Sequence, residues 1–88
     1  MFAHILTTQQ GPPTERTAEL FQRFKDVPGL EQAFSLQSED DPNDGYVVAI
    51  WESRESAVRY LEEHPLRRSV DEAMPGLTRK LFRVLDAK

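Results

Sequence analysis

Two histidines and a tyrosine are the side chains in this sequence best suited to moving a proton near neutral pH. His4 and His64 carry imidazoles, whose ordinary pKa lies close to neutrality. Tyr60 precedes His64 by four residues, so on a helix the two side chains share one face and can hydrogen-bond one ligand. The residue types and spacing therefore indicate general acid–base catalysis, with His4, Tyr60 and His64 as the candidate catalytic residues.

Each histidine also has a structural interpretation that the sequence leaves open. His4 lies between Phe2 and Leu6 on one face of a strand pattern, where a hydrogen-bonded core histidine is common. His64 directly precedes Pro65, and a histidine in that position can cap the end of a helix. The sequence does not decide between a catalytic and a structural role for either ring.

Three further aromatic residues could hold a small ring compound against Tyr60. Phe21 and Phe24 lie on the apolar stripe of a predicted helix, and Trp51 ends the most apolar strand. We expect these residues to line a substrate pocket between the helices and the sheet. For Trp51 the alternative is plain core packing, because an indole buries a large area.

The composition and motifs of the sequence argue against cysteine-based, metal-binding and nucleotide-binding sites. The 88 residues include no cysteine, which excludes disulfides, thiolate zinc sites and a cysteine nucleophile. The two histidines and scattered carboxylates lack the spacing of metal ligands, and the sequence has no phosphate loop, serine elbow or dinucleotide fingerprint. We therefore predict neither a metal nor a cofactor.

Charge and hydropathy limit the partners. The 11 basic and 15 acidic side chains give a net charge of −4, which argues against nucleic acid as the main partner. Basic pairs at 67–68 and 79–80 leave room for a local anion pocket, and Arg67 is the candidate for a substrate contact. No apolar run reaches membrane-spanning length, and the start lacks the features of a signal peptide. We predict a cytoplasmic protein without nucleic-acid or membrane partners.

Hydrophobic periodicity predicts four strands and two helices in a single domain over residues 1–88. The first helix would begin after an N-cap at Thr14 and the second after an N-cap at Ser53. Pro65 would kink the second helix or open a new turn. The predicted strands cover residues 2–9, 30–38, 46–51 and 77–85. This order is that of an α+β, ferredoxin-like βαββαβ fold, with a four-stranded antiparallel sheet and both helices on one face.

The face of the sheet turned away from the helices carries apolar residues that the helices cannot bury. The third strand is apolar on both faces, although two helices can cover one face only. We also expect Leu30, Phe34 and Leu36 to share one face of the second strand. A second copy of the chain is the simplest cover, so we predict a two-fold homodimer. The alternative is a monomer with an open apolar face.

Two segments resemble a known superfamily. Residues 45–57, GYVVAIWESRESA, and residues 60–67, YLEEHPLR, are similar to the antibiotic biosynthesis monooxygenase branch of the dimeric α/β-barrel superfamily. His4 and the segment from Tyr60 to Pro65 are also similar to the stress-responsive A/B barrel branch. The resemblance covers nearly the whole chain and implies two ferredoxin-like sheets packed face to face in a homodimeric barrel.

The resemblance also implies which reactions to expect. Some members are cofactor-independent oxygenases of aromatic polyketides or quinols, and others bind and degrade haem. The haem-degrading members use an asparagine on the first strand, where this chain has Leu6 and Thr7, and a histidine on the second helix, where it has Arg, Arg and Ser at 67–69. Cyclases of the stress-responsive branch share His4 and Tyr60 but have a later histidine at the place of Arg67. Haem degradation and acid–base cyclisation are therefore disfavoured.

Two functions follow as hypotheses. The first is a homodimeric, cofactor-independent monooxygenase acting on a small phenol, quinol or polyketide, with His4 or His64 as the proton acceptor. The second is a non-catalytic small-ligand-binding or stress-related homodimer. Under the first hypothesis the protein oxidises an aromatic ligand bound beside Tyr60, and under the second it only binds that ligand.

Overall fold

Strands and helices follow one another in the predicted order. The computed structural model describes residues 1–8, 15–74 and 76–88. Its strands are β1 Phe2–Thr8, β2 Leu30–Gln37, β3 Gly45–Trp51 and β4 Thr78–Arg83. Its helices are α1 Glu15–Arg23, a 3₁₀ turn at Phe24–Asp26, α2 Arg54–Glu63 and α3 Pro65–Ala73. The predicted N-cap at Thr14 and the predicted end of the first strand at residue 9 lie outside the described residues.

The four strands form one antiparallel sheet in the order β2-β3-β1-β4. This order confirms the predicted α+β, ferredoxin-like arrangement, in which the first and third strands of the chain occupy the centre of the sheet. Side chains on β1 and β3 therefore have neighbouring strands on both sides. These two strands hold a functional group more rigidly than the edge strands do.

Pro65 divides the second helical segment into two helices. α2 ends at Glu63, His64 has an extended backbone, and Pro65 occupies the first turn of α3. Proline suits this position because its missing N–H would be unpaired there in any case and its φ is already helical. The separate start lets α3 pack against α1 while α2 lies on β1 and β3. Among the described helices, none combines the length and apolar content required to cross a bilayer.

The N-cap predicted for the second helix is confirmed. The Ser53 hydroxyl accepts a hydrogen bond from the Ser56 N–H at 3.1 Å. Glu55 places a negative charge in the first turn, where it complements the helix dipole. These contacts fix where α2 begins, and they therefore fix which of its residues face the sheet.

The core lies between the helices and one face of the sheet. On α2 the sequence predicts an inner stripe of Ala57, Val58 and Leu61, and the structure buries Ala57 and Tyr60, which lie on one helix face. Val58 is half-buried, and Leu61 packs partly against the core. The buried apolar residues that share this core are Leu6, Leu20, Phe24, Val27, Ala49, Trp51, Ala57, Tyr60, Leu66 and Val70.

A β-bulge in β2 corrects the predicted faces of this strand. The ladder pairs Leu30 with Trp51 and leaves Glu31 as an extra residue. The extra residue reverses the alternation, so Leu30 packs against the core while Phe34 and Leu36 lie on the other face of the sheet. The prediction that these three apolar residues share one face was therefore wrong.

The face of the sheet opposite the helices carries an apolar surface, which we call the open face. Phe34 and Leu36 are 47% and 49% exposed there, and Phe82 is 41% exposed. Val48 lies at its centre, because the ladders pair it with Ile5 on β1 and with Phe34 on β2. The open face consists of Ile5, Phe34, Leu36, Tyr46, Val48, Ile50 and Phe82.

Gly29 joins the 3₁₀ turn to β2 in a conformation that other residues rarely adopt. Its φ is +83°, and a Cβ at this position would collide with the Ser56 side chain on α2. Gly29→Ala should lower the free energy of unfolding by about 2–4 kcal/mol, through the left-handed backbone and the overpacking together. Gly45→Ala is the control, because Gly45 lacks a positive φ and its Cβ would lie 3.2 Å from the Leu36 carbonyl oxygen. Urea denaturation measures both variants, and equal losses would contradict the expectation.

Candidate active site

Tyr60 lies at the centre of the aromatic residues that the sequence singles out. Its ring centroid is 5.6 Å from that of Phe24, 5.3 Å from that of Trp51 and 5.7 Å from that of His64. Phe21 joins the group through Phe24, at 6.3 Å. These separations are typical of favourable tilted ring pairs. The structure thus brings Phe21, Phe24, Trp51, Tyr60 and His64 together into what we call the aromatic cluster.

Four elements of the fold position the aromatic cluster. Phe21 lies in α1, Phe24 begins the 3₁₀ turn, Trp51 ends β3, and α2 supplies Tyr60 and its C-cap His64. Trp51 is completely buried, and Tyr60 is 2% exposed. The cluster is therefore packed core over most of its area, in line with the alternative interpretation of Trp51.

A pocket borders the Tyr60–His64 edge of the cluster. It lies between the turn at Val27–Pro28 and helix α2, and its volume is about 220 Å³. The charged side chains of Arg59 and Glu63 also line it. An engineered apolar cavity of about 150 Å³ is enough to bind benzene, so this volume suits a single aromatic ring. Tyr60 and His64, predicted to face one ligand together, line this pocket together, whereas the other three aromatic residues expected to line a substrate pocket are absent from its lining.

His64 caps α3 through one of its ring nitrogens. Its Nδ1 accepts a hydrogen bond from the Leu66 N–H at 3.1 Å. A ring nitrogen that accepts is unprotonated, so the proton of the neutral ring lies on Nε2. His64 can therefore donate a hydrogen bond to a ligand, whereas taking up a proton at Nδ1 would break the cap.

His4 lies in the middle of the sheet, buried beneath the helices. It is 1% exposed, and its neighbours across the two ladders are Ala49 and Leu81. Burial, together with the positive charge of Arg79, lowers the pKa of His4 to about 4. Its Nδ1 has no hydrogen-bond partner in the described part of the chain. At neutral pH His4 is thus an uncharged ring with an unused nitrogen.

The Tyr60 hydroxyl is likewise buried; no described residue meets full hydrogen-bond geometry with it, and Arg79 is the nearby donor. The pKa of Tyr60 is raised to about 12, because burial raises it by more than the nearby positive charge of Arg79 lowers it. The phenol is therefore uncharged at physiological pH. It can donate a hydrogen bond to a negatively charged oxygen.

Arg79 is a site residue that the sequence reasoning missed. Its side chain is 15% exposed, its Nη1 forms an ion pair with Asp71 on α3, and its Nε and Nη2 are buried without partners in the described ranges. In the sequence it belongs to a basic pair that leaves room for a local anion pocket, and it was not singled out as a site residue. A usable signal is the alternation of β4, which places Arg79 on the same face as Leu77 and Leu81, the face that packs against the core.

Arg67, the predicted substrate contact, lies on the surface of α3. Its Nε is 3.2 Å from an Asp71 carboxylate oxygen, and its Nη1 donates to the Leu61 carbonyl at 3.2 Å. It is absent from the lining of the pocket beside Tyr60. Arg67 is connected to the interior through Asp71, which also holds Arg79. Its contact with a substrate stays a prediction.

Solved structures of other proteins share this fold. No family model and no curated protein matches the sequence, but solved structures do. A variant of SnoaB, a cofactor-independent oxygenase from Streptomyces nogalater, superposes with a TM-score of 0.73 at 21% identity over 98% of this chain and 93% of its own. An antibiotic biosynthesis monooxygenase gives a TM-score of 0.71 at 16% identity, over 98% and 100% of the two chains. The chain has the antibiotic biosynthesis monooxygenase fold.

Another structure with this monooxygenase fold carries a large planar ligand. A variant of MhuD, with two manganese protoporphyrin IX molecules bound per active site, superposes with a TM-score of 0.64 at 18% identity over 100% of this chain and 98% of its own. In the present chain, no group of three or more His, Asp or Glu side chains that could hold a metal ion occurs among the described residues.

Within this monooxygenase fold, the candidate site has two sides that meet at Tyr60. Towards the surface, the Tyr60 ring and His64 border a pocket of single-ring size. Towards the sheet, His4, Tyr60 and Arg79 present buried polar atoms without partners in the described part of the chain. An uncharged base, a phenol donor and a cation near one another can bind an aromatic ring, remove a proton from it and stabilise the resulting anion.

Proposed function

We propose that this protein is a cofactor-independent monooxygenase acting on a small phenol or quinol, with Tyr60 at the centre of its site. The observation that carries the proposal is the position of Tyr60 between an aromatic-sized pocket and a buried set of unpaired polar atoms. The solved structures with this fold support it, since SnoaB is named a cofactor-independent oxygenase.

The chemistry of electron-rich phenols explains why such a reaction can dispense with a cofactor. A phenol with an unsubstituted para carbon reacts with dioxygen to give a quinone and water. The para C–H and the phenolic O–H are lost, one oxygen atom enters the ring as a carbonyl, and the other leaves as water. The phenol supplies all four electrons that dioxygen accepts. The protein then has to bind the phenol, remove its proton and keep water away from the resulting anion.

The described side chains divide these tasks. His4 is our candidate base, because its Nδ1 has no partner and its ring is uncharged at neutral pH. Its low pKa makes it a weak base, so the anion has to be stabilised by neighbouring groups. Tyr60 donates a hydrogen bond to that anion, and Arg79 supplies a positive charge. His64 orients the ring from the pocket through its Nε2–H.

Oxygen uptake tests the proposal. The wild-type protein, without added cofactor, should consume dioxygen with at least one member of a panel of single-ring phenols and dihydroxybenzenes. A His4→Ala variant should lose about 100-fold in kcat, the typical contribution of a general base. His64→Asn keeps a hydrogen-bond donor and an acceptor, so its main effect should fall on KM. Uptake that matches the protein-free rate across the whole panel would refute the proposal.

A non-catalytic ligand-binding protein is the second candidate, and one observation favours it. The Nδ1 of His64 is engaged in capping α3, so one of the two predicted bases already has a structural role. This candidate predicts saturable binding of phenols without oxygen consumption. Binding measured under nitrogen and uptake measured in air therefore separate the two functions.

We also propose that the functional unit is a homodimer joined through the open face. Phe34 and Leu36 are about half exposed, and they belong to an apolar surface that the helices do not cover. An antiparallel sheet with one wet face normally carries polar residues on that face. A second copy of the same surface is self-complementary under two-fold symmetry. The cytoplasmic location and the absence of a nucleic-acid partner stay predictions.

A further inference from the structure

Arg79 reaches from the edge strand β4 into the interior, where two of its nitrogens have no partner. The ladder sets Arg79 opposite Leu6 on β1, on the face of the sheet that also carries His4. Its Nη1 is held by Asp71, while Nε and Nη2 are buried and unpaired within the described residues. Leaving buried charged donors unpaired is costly, so such groups normally face an acceptor.

The groups around those nitrogens are also without partners. The Tyr60 hydroxyl and the His4 Nδ1 are buried without a partner of full hydrogen-bond geometry in the described part of the chain, and Arg79 lies near enough to the hydroxyl to donate to it. Arg79 lies close enough to both rings for its charge to affect their protonation. Of the five unpaired atoms, the two on Arg79 and the Trp51 indole nitrogen are donors only, the tyrosine hydroxyl can donate, and the neutral imidazole can present either function. The set therefore has more donors than acceptors.

The charge balance points in the same direction. Asp71 is the carboxylate that pairs with Arg79, and the same carboxylate also pairs with Arg67. Two guanidinium groups thus share one negative charge, which leaves one net positive charge in the group. Arg67 is 46% exposed and is hydrated, whereas Arg79 is 15% exposed. The uncompensated charge lies mainly on the buried side, next to Tyr60 and His4.

We propose that Arg79, Tyr60 and His4 form a buried subsite for the singly charged oxygen group of a planar aromatic ligand. The fork of Arg79 matches two adjacent oxygens, as in a carboxylate or an ionised ortho-hydroxyphenol. Tyr60 donates to the same group, and Tyr60 also lines the pocket in which the ligand's ring would lie. The inference rests on the proposed function in taking the ligand to be aromatic, and it adds the requirement that the ligand be anionic.

Benzoate and benzamide provide the test, because they share a ring and differ in charge. Trp51 is the only tryptophan in the sequence and contacts Tyr60 at 5.3 Å, so its fluorescence reports on binding beside Tyr60. Neither compound is a phenol, so the titration does not depend on the oxidation proposed above. The wild type should bind benzoate about 10- to 100-fold more tightly than benzamide, the range expected for charge-assisted hydrogen bonds.

Variants assign that preference to the subsite. Arg79→Gln should remove the preference for benzoate, and Arg79→Lys, which keeps the charge but loses the fork, should retain part of it. Arg68→Gln is the matched control, because it removes the same charge from an exposed residue of α3 and should leave the preference intact. Tyr60→Phe should weaken benzoate about 10-fold and leave benzamide nearly unchanged.

Two results would overturn the inference. One is equal affinity of the wild type for benzoate and benzamide, which would mean that the buried donors are satisfied by water. The other is a preference for benzoate that persists in Arg79→Gln. If Arg79→Gln fails to fold, as judged by circular dichroism, the Arg79→Lys and Tyr60→Phe titrations decide: unchanged preference in both overturns the inference. Failure of oxygen uptake alone would leave this result intact and would overturn only the proposed oxidation.

Discussion

Val48→Asp is expected to convert the protein from a dimer to a monomer. Val48 lies at the centre of the open face, opposite Ile5 on β1 and Phe34 on β2. A two-fold dimer through this face contains two copies of Val48, so the substitution places two carboxylates in an apolar interface. A buried, unpaired charge costs several kcal/mol, so the dissociation constant should rise by at least about 100-fold. Light scattering or sedimentation at micromolar concentration measures the change.

Two matched substitutions locate the effect on the open face. Val58→Asp makes the same chemical change on α2, at a half-buried residue outside the core, and it should leave the dimer intact. Ala49→Asp places the charge in the core, where Ala49 is 1% exposed, and should unfold the chain instead of dissociating it. A wild type that is monomeric at micromolar concentration, or a Val48→Asp variant that stays dimeric, would contradict the proposed pairing.

His4 is expected to make the protein lose stability in mild acid. Burial, with the charge of Arg79, lowers the pKa of His4 from an ordinary value of 6.5 to about 4 in the folded protein. Between these values the unfolded chain binds a proton at His4 that the folded protein does not bind. The free energy of unfolding should therefore fall as the pH drops from 7 to 4, by up to about 3 kcal/mol from this residue. Below pH 4 this contribution stops changing.

The comparison that isolates this effect is with His4→Phe, which keeps a ring but cannot titrate. Urea denaturation of both proteins between pH 7 and 4, at one protein concentration, gives the two slopes. His64 and the carboxylates are present in both, so the difference between the slopes belongs to His4 and to the groups it interacts with. Asp71, Tyr60 and Arg79 are the titratable groups closest to that interaction. Parallel slopes would mean that His4 is not a buried neutral ring.

The order and type of the elements could be predicted because local patterns dictate them. Ser53 marks a helix start by accepting a hydrogen bond from the Ser56 N–H, and Pro65 marks one because its φ is helical and it has no N–H to leave unpaired. The i, i+4 spacing likewise places His64, the C-cap of α2, beside Tyr60 at the end of the helix, and both line the same pocket. In each case the local geometry of a few neighbouring residues was enough to predict the feature.

Features that depend on how separate elements contact one another could not be predicted in the same way. The bulge at Glu31 becomes visible only when β2 is aligned against β3, and it decides which face Phe34 and Leu36 occupy. Arg79 is buried because Asp71, on a different element, holds its guanidinium. In the sequence Arg79 belongs to a basic pair, and no local pattern links it to Asp71. Composition and spacing therefore do not predict the part of the site that tertiary contacts build, such as the ion pair of Arg79 with Asp71.

Labelled dioxygen provides the most direct test of the proposed reaction. The wild-type protein, without added cofactor, is supplied with heavy-isotope dioxygen and with the phenol that gives the fastest oxygen uptake, and the product is analysed by mass spectrometry. We expect one labelled oxygen atom per quinone, the other in water, and a rate about 100-fold lower in Tyr60→Phe, which loses only the hydroxyl. A product without label, or a labelled product formed equally fast by Tyr60→Phe, would contradict a monooxygenase site centred on Tyr60.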